Sequence, residues 1–323
     1  MRRLLMLVAV LCVLAFAVML SGCGGGGSEK VVSAAGKPPP PPPPPTPDKI
    51  AFHNVGAGKD SSRNEIFTMY TNGTGVAQLT AGAAQGGNSD PTWNPSGTRI
   101  CFTSTRDGYS RLYLMNRDGS GQTRFTPIQG YHDGAPDWAP SGDRIAFCRG
   151  PNMPSYLWVR DVNTGAEVQL AHVPGLVDYP PSWDPTGRMI VLRRFALVLG
   201  NPLSGLYVTA ADGSSNQLVM QGDGVECPSW SPQGDKIAYS PGGDIWTIKV
   251  DPATGVPVQP EQKTNLTNTP GAKDREPTWS SDGQWIAFES LVGTTFSVCK
   301  VPAAGGSVTG LGAGFAPDWS PIL

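Results

Sequence analysis

A chain of 323 residues with a net charge of −2, only 15% of it charged, carries no basic stripe and excludes a nucleic-acid partner. Its 41 glycines and 32 prolines interrupt the chain too often for long helices. Length alone suggests about two domains, a prior that an internal repeat overrides.

Met1-Arg2-Arg3 is a basic start, followed by an apolar run from Leu4 to Leu20 and then Ser21-Gly22-Cys23. The run is short for a membrane-spanning helix and no basic stop follows it, so residues 1–22 read as a signal peptide. Leu20-Ser21-Gly22-Cys23 resembles the lipobox of bacterial lipoproteins. The resemblance implies cleavage before Cys23, lipid on Cys23, and an exported protein anchored to a bacterial membrane on its periplasmic or cell-surface side. Anchoring of this kind holds without spanning and needs more than one acyl chain. Residues 23–47 then form a tether, in which Gly24 to Gly27 is flexible and Pro38 to Pro45 is polyproline II. At about 3 Å per residue the proline run spaces the folded part from the bilayer by roughly 25 Å. A docking site for a proline-binding module is the alternative reading of that run.

Residues 48–323 are organised by a recurring stretch, first seen complete as Pro91-Thr92-Trp93-Asn94-Pro95-Ser96-Gly97-Thr98-Arg99-Ile100-Cys101-Phe102. Further copies centre on Trp138, Trp183, Trp230 and Trp279, and a truncated one on Trp319, at intervals of 45, 45, 47, 49 and 40 residues. A proline stands two residues before each tryptophan, and in the complete copies a glycine stands four after it. Repeats of this length point to a β-propeller or a helical solenoid. Short β-branched and aromatic segments between proline and glycine select the propeller, with four strands per unit.

The second strand of each unit predicts the packing. Large residues flank a mostly small one: Ile100/Phe102 around Cys101, Ile145/Phe147 around Ala146, Ile237/Tyr239 around Ala238, and Ile286/Phe288 around Ala287, with Val191 the largest of the middle residues. Side chains alternate along a strand, so each blade has a bulky and a small face that interlock around a ring. The first unit begins at Asp48-Lys49-Ile50-Ala51-Phe52 without a tryptophan strand, and the last ends just after one. The two fragments complete one blade. The predicted fold is therefore all-β: a six-bladed propeller of four-stranded antiparallel blades, closed by pairing of Phe315–Leu323 beside Ile50–His53.

Pro228-Ser229-Trp230-Ser231-Pro232-Gln233-Gly234-Asp235-Lys236-Ile237-Ala238-Tyr239 and Pro277-Thr278-Trp279-Ser280-Ser281-Asp282-Gly283-Gln284-Trp285-Ile286-Ala287-Phe288 resemble the PD40 repeat of the TolB family. The resemblance covers residues 48–323 and implies the fold. For function it is broad, since prolyl-oligopeptidase-type peptidases and some polysaccharide lyases have similar propellers. TolB itself carries an additional amino-terminal α/β domain, whose place is taken here by an anchor and tether, so a Tol–Pal role is not carried over. No α/β-hydrolase segment with a Gly-x-Ser-x-Gly nucleophile turn is visible.

Three histidines, His53, His132 and His172, fall in three different units and read as solvated residues rather than metal ligands. Of the cysteines outside the leader and anchor, Cys101 reads as a small buried hydrophobe, and the pairing of Cys148, Cys227 and Cys299 is left open. The best candidate site is acidic. Asp90, Asp133, Asp137, Asp178, Glu226, Asp274, Glu276 and Asp318 all lie one to five residues before a repeat tryptophan, and symmetry gathers them near one channel mouth. Such a ring could hold a cation or a basic or hydroxylated ligand. The competing reading is that these acids hydrogen-bond backbone amides of neighbouring blades. The expected function is a non-catalytic module, without a resident cofactor, that binds an envelope protein or glycan. A carbohydrate-binding or polysaccharide-degrading propeller, and an extracytoplasmic sensor or structural lipoprotein, are the alternatives.

Overall fold

The computed structural model describes residues 48–55, 63–81, 86–127, 130–151, 155–170, 173–197, 201–222, 224–259 and 261–321. The leader, Cys23, the tether, His172, Ile322 and Leu323 lie outside them.

The turn after each repeat tryptophan requires its glycine. Gly97, Gly142, Gly187, Gly234 and Gly283 have φ between +59° and +76°, the left-handed region where a side chain is strained. The residue just after the tryptophan closes the same turn with its side chain. Asn94 Oδ1 accepts from the Arg99 amide at 2.8 Å, Asp184 Oδ1 from Met189 at 2.7 Å, Ser231 Oγ from Lys236 at 3.0 Å and Ser280 Oγ from Trp285 at 2.9 Å. The varied identities at this position therefore share one task. Ala139 has no side-chain acceptor, and its turn relies on backbone bonds to Arg144 and Gly142.

With the turns set, the described residues form six four-stranded antiparallel sheets. In the second blade the strands run Asn88–Trp93, Arg99–Ser104, Arg111–Asn116 and Thr123–Arg124, from the tryptophan strand outward. The others follow the same order, with innermost strands His132–Trp138, Val177–Trp183, Val225–Trp230, Ala272–Trp279 and Phe315–Trp319.

The apolar interior is divided among the blade interfaces. Cys101 and Leu114 pack against Trp138, Ile145 and Phe147 of the next blade. Ala146 packs in the same way against Trp183, Ile190 and Leu192, Val191 against Trp230, Ile237 and Tyr239, and Ala238 against Trp279, Ile286 and Phe288. Ala287 meets Trp319, Ile50 and Phe52, and Ala51 meets Trp93, Ile100 and Phe102. Every interface thus joins a small middle residue to the bulky pair of its neighbour, as the alternation predicts. Each fully buried side chain of this size stabilises by about 1.5–3 kcal/mol.

The first blade is completed by the other end of the chain. Phe315–Trp319 pairs antiparallel with Lys49–Val55, matching Ile50 with Trp319 and His53 with Phe315. Ser320 Oγ accepts from the Lys49 amide at 2.9 Å, and Ser320 donates its own amide to the Lys49 carbonyl at 2.8 Å. These are the contacts made by Asn94, Asp184, Ser231 and Ser280 in the covalent turns, here joining residues 271 positions apart. Deleting residues 315–323 is accordingly expected to abolish the single cooperative melting transition followed by circular dichroism; a deletion variant that melts like the parent would contradict closure.

Candidate functional site

The innermost strands line a central channel, and one irregularity decides which side chains reach it. Three residues before the tryptophan, Asp90, Ala135, Cys227, Glu276 and Ala316 have φ between +42° and +53°. Each lies in or beside a break in the pairing register with the second strand. The equivalent residue of the fourth blade is Pro180, whose ring forbids positive φ; there the break falls between Tyr179 and Pro181. A bulge of this kind bends the strand and re-aims a side chain, and left-handed non-glycine residues cost about 1–3 kcal/mol each.

The channel has two chambers. One, of about 130 Å³, is lined by the bulge residues Asp90, Cys227 and Glu276, by Tyr179, and by the prolines two residues before each tryptophan. The other, of about 260 Å³, is lined by the six tryptophans and the turns after them. Both share the residue directly before each tryptophan: Thr92, Asp137, Ser182, Ser229, Thr278 and Asp318. These six side chains form the waist.

Waist residues join the blades. Asp318 Oδ2 accepts from the Trp93 amide and Asp137 Oδ2 from the Trp183 amide, both at 2.7 Å. Ser182 Oγ accepts from Trp230 at 3.1 Å and Thr278 Oγ1 from Trp319 at 3.5 Å. The side chain before one tryptophan thereby receives the amide of the next blade's tryptophan. Asp137 and Asp318 retain some exposure to the lumen but are otherwise enclosed by protein, and burial pushes the carboxyl of each up to about 7.

The eight predicted acids divide. Asp90, Asp137, Glu276 and Asp318 line the channel. Asp133 and Asp178 are buried in the blades, bonded to Arg149 Nε at 2.6 Å and Arg194 Nε at 2.7 Å. Asp274 is buried too, accepting from Thr269 Oγ1 and Ser290 Oγ, both at 2.6 Å. Glu226 pairs with Arg193 at 3.0 Å. The amide-bonding reading thus describes Asp137, Asp318 and also Asp178, whose Oδ2 accepts from the Leu157 amide of the neighbouring blade at 3.0 Å, while Asp133 and Asp274 are internal struts. The waist hydroxyls, Tyr179 and Cys227 were not singled out by acidity. A signal for the waist was present, since the residue between proline and tryptophan is short and polar in all six copies.

Glu276 is raised as well. Burial, and then the charges of Glu289 and Asp90, push it up to about 8. The charge of Asp90, followed by burial, also pushes the Tyr179 phenol well above its usual range. His53, stacked on Phe315 at 5.2 Å, accepts weakly from the Asp90 amide at 3.4 Å; its pKa is lowered by burial. Cys101, Cys148, Cys227 and Cys299 are all free thiols. Among the described residues no group of three His, Cys, Asp or Glu side chains could hold a metal ion.

A pH dependence follows. The waist carboxyls hold a proton more tightly folded than unfolded, so their contribution to stability is present below about 4 and is lost as pH rises through about 7. Asp137→Asn keeps an oxygen for the Trp183 amide and removes the titration. Its melting temperature is expected to rise relative to the parent between about pH 5 and about pH 8 in calorimetry, whereas a constant difference would contradict the assignment.

The TolB beta propeller domain matches residues 17–234 of the chain. A 60-residue stretch is 40% identical to the Tol-Pal system protein TolB of Geobacter sulfurreducens, covering 19% of this chain and 13% of that protein. Among solved structures, TolB from Acinetobacter baumannii superposes with a TM-score of 0.65 at 17% identity, over 85% of this chain and 67% of that one. An oligogalacturonate lyase in complex with manganese superposes with a TM-score of 0.52 at 14% identity, over 82% of this chain and 73% of that one. At these identities the two structures show a shared fold. With the domain match spanning more than half of the sequence, the chain belongs to the TolB β-propeller family.

Proposed function

We propose that this chain is a cell-envelope lipoprotein whose propeller binds another envelope protein without catalysing a reaction. The observation that carries the reading is the character of one face. On the face where the smaller chamber opens, strand ends and loops expose Val55, Tyr109, Tyr131, Leu197, Leu203 and Val292. These residues lie at the same end of the strands as the Asp90 and Glu276 bulges. Apolar residues surrounding a recessed polar centre are the composition of a protein-binding patch. The family match and the partial identity to a Tol-Pal protein support an envelope setting.

The chain enters the propeller at Asp48, at the tryptophan end. A glycan ligand is the second reading, favoured by the hydroxyls and carboxylates of the waist.

A photo-crosslinking residue at Tyr109 or Tyr131 is expected to give a discrete protein adduct in intact cells, and one at Val168 on an outer strand to give none. Equal labelling at all three sites, or none, would contradict a partner at the rim. Separately, Cys23→Ser is expected to move the protein from the membrane fraction to the soluble fraction. A variant still membrane-bound after a high-salt wash would count against the lipid anchor.

A further inference from the structure

The smaller chamber is ringed by residues that offer no backbone donor. Pro91, Pro136, Pro181, Pro228, Pro277 and Pro317 encircle it, and proline has no backbone N–H to offer. Four of the tryptophan amides beyond them are already donated to waist side chains. No lysine, arginine or histidine lines the chamber, so a bound anion would find hydroxyl and thiol donors but no positive charge.

Two carboxyl groups in the wall lack a cationic partner. Asp90 receives a hydrogen bond from Ser89 Oγ at 3.0 Å and forms no ion pair among the described residues. Glu276 is half-buried, and its Oε2, itself buried, has no hydrogen-bond partner. The guanidinium groups nearest this mouth are engaged by other acids, Arg193 with Glu226 at 3.0 Å and Arg275 with Glu289 at 2.6 Å. An unsatisfied buried carboxyl oxygen is costly, and a cationic donor in the chamber would satisfy it.

Charge alone would admit a metal ion, but the ligand count argues against one. A divalent cation is held best where several charged or imidazole ligands converge at short range, and among the described residues no group of three His, Cys, Asp or Glu side chains could hold one. An ammonium group needs less: one or two carboxylates, acceptor oxygens and an aromatic face. Tyr179 supplies the aromatic ring, and the proline ring supplies apolar walls for a methylene stem.

We propose that this chamber binds a primary alkylammonium group, with Glu276 and Asp90 as its carboxylate partners and Tyr179 and the prolines packing its alkyl stem. The proposal rests on the partner-binding reading of this face and deepens it: the group inserted is a lysine side chain of the partner. A free polyamine has the same chemistry, and the experiment separates the two sources.

The test uses full-length protein in detergent micelles at fixed ionic strength and about pH 9, where Glu276 is ionised and an alkylammonium still protonated, titrated calorimetrically with n-butylammonium chloride, n-butanol and calcium chloride. Saturable binding of n-butylammonium is expected, with n-butanol inert and calcium failing to compete. Glu276→Gln, which preserves shape and fold, is expected to weaken amine binding at least about tenfold, and Tyr179→Leu to weaken it several-fold. Unchanged affinity in Glu276→Gln, equal binding of n-butanol, or displacement of the amine by calcium would overturn the assignment.

To distinguish the sources, a short lysine peptide is compared with its Nε-acetylated form and with spermidine. Peptide binding lost on acetylation supports a partner lysine; spermidine binding without peptide binding overturns that source. Amine binding that fails while rim crosslinks persist would remove this assignment and leave the partner reading standing, and the reverse outcome would remove the partner reading instead.

Discussion

The structure depends on a contact that no blade can make alone. At four of the six interfaces the side chain before a repeat tryptophan accepts the amide of the next blade's tryptophan, and at each the indole and the bulky pair behind it fill the space over the middle residue of the neighbouring strand. Each sheet is thus one half of two interfaces, and none has an independent core. Such an arrangement is stable only when the circuit has no gap, because an open first or last sheet would expose both an apolar face and an unpaired edge. The chain ends therefore bear the same structural duty as any covalent turn, and Ser320 carries it out with the chemistry of Ser231 and Ser280.

The same geometry creates the channel and its polarity. Six copies of proline followed by a short polar residue and tryptophan place six donor-free residues and six hydrogen-bonding side chains around one axis. Four of those side chains are hydroxylic and two are aspartates, so the waist departs from sixfold symmetry only in charge. The bulges add a second, less regular tier, in which Cys227 and Glu276 are neighbours and are set apart from Asp90 by an alanine on one side and by an alanine and the proline of the fourth blade on the other. Structural repetition supplies the scaffold, and the exceptions to it supply the chemistry.

Much of the fold was legible in the sequence because its determinants are local and repeated. Alternation around Cys101, Ala146, Ala238 and Ala287 predicted the interlocking faces, and the fragments at Ile50 and Trp319 predicted closure. The acids were legible only in part. Simple alternation assigns residues one, three and five before the tryptophan to one face, and so gathers Asp133, Asp178 and Asp274 with Asp137 and Asp318. The bulge inserts a residue between them and turns the outer acids into the blades, where Arg149, Arg194 and Ser290 receive them. That bulge gave no sequence signal, because its left-handed positions hold aspartate, alanine, cysteine and glutamate rather than glycine.

Amide hydrogen exchange across the closure tests the central claim most directly. If the ends of the chain form a true blade, the amides of Ala51 and Ser320 exchange as slowly as their counterparts Cys101 and Asn94 in the second blade. Exchange faster by a factor on the order of a hundred, confined to the first blade, would mean that the seam opens independently and that the ring is not the unit of stability.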